Sequence, residues 1–286
     1  MKNQIIKGAV ILFILQILQI SVLLAQSHEF SVYGGGGLST LRYQLSVGDA
    51  SVGYGGDFGV GYTYFLNDQW GIHTGAGLGL YNAKAKLDGI QTVTPNLTDS
   101  DGERFDLHTT LAGFIETQKA MFLNIPVMVV YEQGFYVMGG LKIGVPLNGK
   151  YTSKSETLTH AGYYPLRNNW ATTQEFAGYG TFAGKNFDGR FDLGMSLMLS
   201  LEGGMKWSIG NNLLLCAGAY IDYGLNNSAK SSNLPFITYN AAHASDFSAN
   251  SVLSTFADKI NMMAAGIKLR LVYGNKKGSS YSGRQR

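Results

Sequence analysis

From residue 29 onward the chain alternates between apolar and small or polar residues with a period of two, in about eight runs of similar length. They are Glu29–Leu41, Tyr54–Leu66, Gln69–Tyr81, Met121–Tyr131, Phe135–Asn148, Asp192–Trp207, Leu213–Leu225 and Ile260–Tyr273. Period two is the signature of a strand with one apolar face. In FYVMGGLKIGVPLN, one face reads Phe135, Val137, Gly139, Leu141, Ile143, Val145, Leu147. The other reads Tyr136, Met138, Gly140, Lys142, Gly144, Pro146, Asn148. A polar face built of glycines and one lysine suits a narrow interior better than open solvent. Each run is about long enough for a tilted membrane strand of roughly 9–11 residues.

The connections alternate in length. Asn67-Asp68, Glu132-Gln133-Gly134 and Ser208–Asn212 are tight turns, whereas Arg42–Gly53, Asn82–Ala120, Gly149–Gly189 and Asn226–Lys259 are long. Short, long, short, long is the plan of an up-and-down membrane barrel with short periplasmic turns and large outer loops. The predicted fold is therefore all-β: an eight-stranded antiparallel transmembrane β-barrel with four long extracellular loops, spanning 26–273. Aromatic residues Phe30, Tyr64, Phe65, Trp70, Tyr131, Phe135, Trp207 and Tyr273 fall at the short-turn ends of the runs. Rings with an apolar body and a polar edge favour the membrane–water boundary, so these predict a girdle at the periplasmic rim.

The N-terminus adds a location. Lys2 and Lys7 precede an apolar run from Gly8 to Leu24, followed by Ala25-Gln26-Ser27. That layout predicts a secretory signal peptide over 1–25 and export to the bacterial outer membrane, with both termini of the mature chain in the periplasm. The tail GNKKGSSYSGRQR (274–286) predicts a short, basic, disordered periplasmic extension. With 22 basic against 19 acidic residues, nothing points to nucleic acid, and the lone Cys216 excludes an internal disulfide framework or a CxxC zinc site.

The Gly-rich first strand FSVYGGGGLSTL (Phe30–Leu41), FLNIPVMVVY (Phe122–Tyr131) and the FYVMGGLKIGVPL that follows resemble the outer-membrane β-barrel family that includes PorT-like proteins. Strands of that family carry an aromatic-Leu-x-Ile-Pro pattern, matched here by Phe122, Leu123, Asn124, Ile125 and Pro126, with Asn124 where an acidic residue is common. The resemblance implies an outer-membrane location. It also suggests an accessory component of a protein secretion or surface-assembly complex, the alternative to a structural or binding role through the long surface loops.

Residues on the polar faces predict the chemistry of the interior. Asp57, His73, Lys142, Glu202, Lys206, Asp222, Lys268 and Arg270 mix both signs, and in a closed lumen such charges need partners or water. They fit a salt-bridged plug, with a gated ion path as the alternative. Catalysis at the outer rim would need a base and nucleophile in contact, and His108, His160 and His243 lie in separate loops. No catalytic set, metal site or cofactor is expected. The loop Gly149–Gly189 is rich in aromatics, Tyr151, Tyr163, Tyr164, Trp170, Phe176, Tyr179, Phe182 and Phe187, which either bind a partner or fold back over the barrel mouth. Lipid is the expected partner of the apolar faces.

Overall fold

A computed structural model describes residues 28–45, 48–87, 90–210, 212–230, 234–240 and 247–274. The expected signal peptide and, beyond Gly274, the expected basic tail lie outside the described residues. In chain order the first seven strands are β1 (His28–Leu45), β2 (Asp49–Phe65), β3 (Trp70–Leu87), β4 (Ile90–Thr98), β5 (Arg104–Ala112), β6 (Phe114–Glu132) and β7 (Phe135–Tyr164). They are followed by β8 (Asn169–Ala171), β9 (Gly180–Arg190), β10 (Ser196–Ser208), β11 (Leu213–Gly224), β12 (Ile237–Thr238), β13 (Ser248–Ala249) and β14 (Ala257–Gly274).

Eight of these strands close a ring by antiparallel pairing, in the order β1-β2-β3-β6-β7-β10-β11-β14 and back to β1. The seam is regular: Phe30 faces Tyr273, Val32 faces Leu271 and Gly34 faces Leu269. Closure leaves no unpaired sheet edge within the ring, as a lipid environment requires. Among the described residues no helix is long and apolar enough to cross a membrane, which says nothing about crossing by strands.

Side-chain alternation sorts the barrel into an outer and an inner surface. Val32, Phe58, Val60, Val127, Val129, Leu199, Leu201, Ile267 and Leu269 stand outward and exposed, forming an apolar belt around the ring. Inward positions are buried, and glycine there makes room for larger groups from neighbouring strands. A side chain at Gly61 would collide with the His73 ring, and one at Gly77 with the Tyr33 hydroxyl. The lumen is thus filled by interdigitated side chains, as an eight-stranded interior permits.

Several elements differ from the sequence expectation. The segments expected as long loops contain strands: β1, β2, β3 and β6 run on past the apolar belt, and β4 and β5 form a hairpin inside 82–120. Strand β7 does not end at Asn148 but continues to Tyr164, pairing with β5 on one edge and β9 on the other. In this stretch Lys150, Thr152 and Lys154 face outward and Tyr151, Ser153 and Ser155 inward, so it lacks the hydrophobic contrast that marks the membrane strands. Pro146 lies mid-strand, at a bulge rather than a strand end. Asn148 pairs with Met121 but Pro146 with Phe122, leaving Leu147 as an extra residue. A bulge already interrupts the ladder, so a residue without an N–H is tolerated there.

Strand β10 begins at Ser196 instead of Asp192. Leu193, within the run expected as a membrane strand, is instead buried in the larger core cluster and bridges to Ala229. Phe65 lies at the short-turn rim but points into the lumen, 1% exposed, and so does not belong to the girdle. It follows Thr63 and Gly61 on the inward parity of β2, while Tyr62 and Tyr64 take the outward one.

Candidate functional site in the lumen and its cap

The inner surface carries the charged residues in tiers. At the short-turn end, Lys206 on β10 donates to Glu29 on β1 at 2.8 Å and to Glu132 on β6 at 3.0 Å. Above it, Arg270 on β14 grips Glu202 on β10 through Nη2, at 2.8 and 3.0 Å to the two carboxylate oxygens. Lys268 bridges Glu202 at 3.1 Å and Asp57 on β2 at 3.0 Å, and its ammonium lies over the rings of Tyr33 and Tyr220. Higher still, Lys142 on β7 meets Asp222 on β11 at 2.6 Å, and Ser200 donates to the same carboxylate. Charges desolvated this far are held only because each cation reaches a carboxylate.

His73 is locked into the middle tier. Arg270 can only donate, so His73 Nε2 accepts from it at 3.2 Å, and Nδ1 carries the hydrogen donated to Thr63 at 2.9 Å. Every one of the eight polar residues singled out in the sequence faces this interior. Sequence reasoning did not include Glu29 and Glu132, although both carry the inward parity of their strands. Tyr33, Tyr136 and Tyr220 were also missed, because tyrosine reads equally as a girdle residue. A cavity of about 20 Å³, lined by Glu29, Lys206 and Arg270 among others, is room for a water or two.

Outside the ring, Phe30, Trp70, Phe135, Trp207 and Tyr273 are exposed at the short-turn rim. Tyr64 and Tyr131 are half-buried there, Tyr131 packing against Trp70 and Phe135 and Tyr64 against His28.

At the long-loop end a second core closes the barrel. The segment following β11 folds inward with β12, β13 and a single helical turn, Val252–Thr255, placing Phe236, Ile237, Ala249, Val252 and Leu253 among buried residues of the surrounding strands. Glu116 on β6 holds this cap. It is fully buried and accepts from Ser251 Oγ at 2.6 Å, from the Val252 amide at 3.1 Å and from Gln118 at 2.9 Å. Burial pushes its carboxyl up to about 7, against the opposing effect of those hydrogen bonds. His160 on β7 holds the other side of the same segment, its ring edge-on to Phe247 at 4.5 Å with Nδ1 2.8 Å from Thr109 Oγ1. Burial lowers its pKa to about 4.

The aromatic loop divides, part of it packing on the cap and part of it standing exposed. Tyr151 donates to the Ala249 carbonyl of the cap, and Phe182 and Phe187 pack on Phe247. Trp170 and Phe176 are exposed, the latter 85%, and Tyr163 packs against Trp170. Tyr164 and Tyr179 share a hydrogen bond at 2.8 Å and enclose Phe105. With Tyr239, Phe176, Gln174, Asp99 and Asp101 they line a cleft of about 430 Å³. His108 contacts Trp170 and is not in contact with His160, since the two occupy opposite faces of paired strands; His243 lies outside the described residues.

A closed eight-stranded ring with an apolar exterior and a salt-bridged interior is membrane architecture, and the family comparison agrees. The profile described as outer membrane protein beta-barrel domain matches residues 24–230. The chain belongs to that family. A search of curated proteins found no match. Among solved structures, a major outer membrane protein from Thermus thermophilus is similar at 14% identity and TM-score 0.34, covering 87% of this chain and 99% of its own. The attachment invasion locus protein of Yersinia pestis is similar at 9% and 0.32, over 88% and 100%. OprG of Pseudomonas aeruginosa is similar at 12% and 0.30, over 87% and 97%. Scores this low transfer no residue roles, and the family profile carries the assignment.

Proposed function

We propose that this outer-membrane barrel is a closed, non-catalytic binding protein that presents its long-loop end to the cell exterior. The contrast between the two cavities supports the reading: about 20 Å³ inside the lumen against about 430 Å³ at the long-loop end. The latter volume is ligand-sized. Its walls are aromatic, its rim holds Asp99 and Asp101, and among the described residues no lysine or arginine lines it. Aromatic faces with nearby carboxylates and no competing base suit a small organic cation.

Titration of the detergent-solubilised protein with choline and tetramethylammonium tests the assignment, with glucose as the uncharged control. Binding of the cations that weakens about tenfold in Asp101→Asn and in Phe176→Ala is expected. No cation binding, or binding indifferent to both substitutions, would remove the ligand class. Orientation is tested separately with Ser100→Cys, since the native Cys216 is buried. A membrane-impermeant maleimide should label that variant on intact cells.

A further inference from the structure

One row of the outer surface breaks an ordinary rule of sheet design. Where β3, β6, β7 and β9 leave the apolar belt, Asn82 faces Lys119, Lys119 faces Lys150 and Lys150 faces Arg190. Three cations thus stand directly opposite one another on neighbouring strands, all exposed on the face that lower down is apolar. Like charges in that relation repel, with Cβ atoms about 4.5–5.5 Å apart. None of the three makes an ion pair among the described residues. The next two rows add Lys84, and then Lys86 and Lys154, against two carboxylates, Asp188 and, opposite Lys86 on β2, Asp49. In the lumen, by contrast, Lys142, Lys206, Lys268 and Arg270 are each paired with a carboxylate. What sets the row apart is that its three members stand directly opposite one another on adjacent strands.

Its height identifies what would neutralise it. Leu80 and Met121, the outward residues directly below Asn82 and Lys119, are paired with each other two positions down, and Leu147 stands exposed beside them. Two residues of strand are about 6.6–6.8 Å. The basic row therefore begins within one residue pair of the end of the apolar belt, at the level of lipid headgroups. Lysine and arginine at that level attract anionic headgroups, and arginine with lysines supplies many donors to a phosphate.

We propose that Lys119, Lys150 and Arg190 form a docking site for a phosphorylated lipid headgroup of the outer leaflet, which neutralises the row and fixes the lateral face of the barrel against one lipid. The choice of leaflet rests on the orientation proposed above; the phosphate chemistry does not.

The test is native mass spectrometry of the whole protein in detergent, with diphosphoryl lipid A added and the same lipid stripped of its phosphates as comparison. The variant Lys119→Gln/Lys150→Gln/Arg190→Gln is set beside a charge-matched control, Arg104→Gln/Arg167→Gln/Lys230→Gln, which removes three cations elsewhere on the long-loop end. Heat-modified mobility on gels shows that each variant folds. The expected result is retention of the diphosphoryl lipid by wild type and control, with a loss of about tenfold or more in the row variant. Equal retention by the row variant, equal loss in the control, or indifference to the lipid phosphates would overturn the site. Micelles have no sidedness, so failure here is independent of the maleimide result on orientation.

Discussion

Glu202 is the residue on which the lumen network converges, because two cations from β14 reach it while Tyr136 donates to it from β7. Replacing it with glutamine keeps the volume but leaves Lys268 with Asp57 alone and Arg270 with no carboxylate among the described residues. Breaking a buried pair by removing one partner costs about 3–5 kcal/mol. Glu202→Gln is expected to destabilise the barrel by that order, measured by urea unfolding in lipid vesicles. Lys206→Met should cost less than half as much, since Glu29 and Glu132 sit at the rim beside a cavity large enough for water. Equal losses would mean that the rim and the middle tier are equally desolvated.

The two buried groups that hold the cap respond to pH in opposite directions. Glu116 is raised from 4.5 to about 7, so its contribution to cap stability is complete below pH 4.5 and is lost as pH rises to 7. His160 is lowered from 6.5 to about 4, so its contribution is complete above pH 6.5 and is lost as pH falls to 4. Between pH 4.5 and 6.5 the two slopes cancel, and the wild-type cap should hold nearly constant stability. Glu116→Gln should leave a cap that loosens on acidification below pH 6.5, and His160→Phe one that loosens as pH rises from 4.5 to 7. Amide exchange of residues 247–256, corrected for the intrinsic pH dependence, reads both. A wild-type cap that follows either single-group curve would show that the other group does not hold it.

Among the elements, what was legible in the sequence depended on contrast between faces. The eight membrane strands announce themselves because lipid demands apolar residues on every outward position, as in Leu197, Leu199 and Leu201 against Ser196, Met198 and Ser200. Where the strands rise beyond the belt, both faces meet water or each other. Alternation between Lys150, Thr152, Lys154 and Tyr151, Ser153, Ser155 then looks like loop sequence although the same strand continues. The bulge at Leu147 was hidden for a related reason: it reverses the inward parity from Lys142 and Gly144 to Gly149 and Tyr151, and no single-sequence pattern marks which residue is the extra one. Deleting Leu147 removes the extra residue and makes the β6–β7 ladder continuous while Gly149 and Tyr151 stay inward and Lys150, Thr152 and Lys154 stay outward. The expected product has an intact barrel, still heat-modifiable on gels, with 149–190 as protected from protease as in the parent. New cleavage within that segment would show that the bulge itself, and not the facing of the residues above it, holds the upper sheet in place.

At the scale of the whole molecule, the charged lumen was visible from parity alone, but the cap was not, since its residues come from a segment with no periodicity and are brought inside by tertiary contacts such as Ser251 with Glu116. That distinction bears on conduction. Two barriers lie in series: the cap at the long-loop end, and below it the tiers from Lys142–Asp222 down to Lys206–Glu29. Cutting the cap out, by replacing 231–251 with a short Gly-Ser linker, removes the first and leaves the second, which is anchored entirely on ring strands. The shortened protein should therefore remain closed in planar bilayers, with no stepwise current beyond that of the intact chain. Adding Glu202→Gln should still not open a path, because a lumen of eight strands is filled by Tyr33, Tyr136 and Tyr220 as much as by its charges. Steady single-channel steps from the capless barrel alone would show that the cap is the gate and that the tiers conduct.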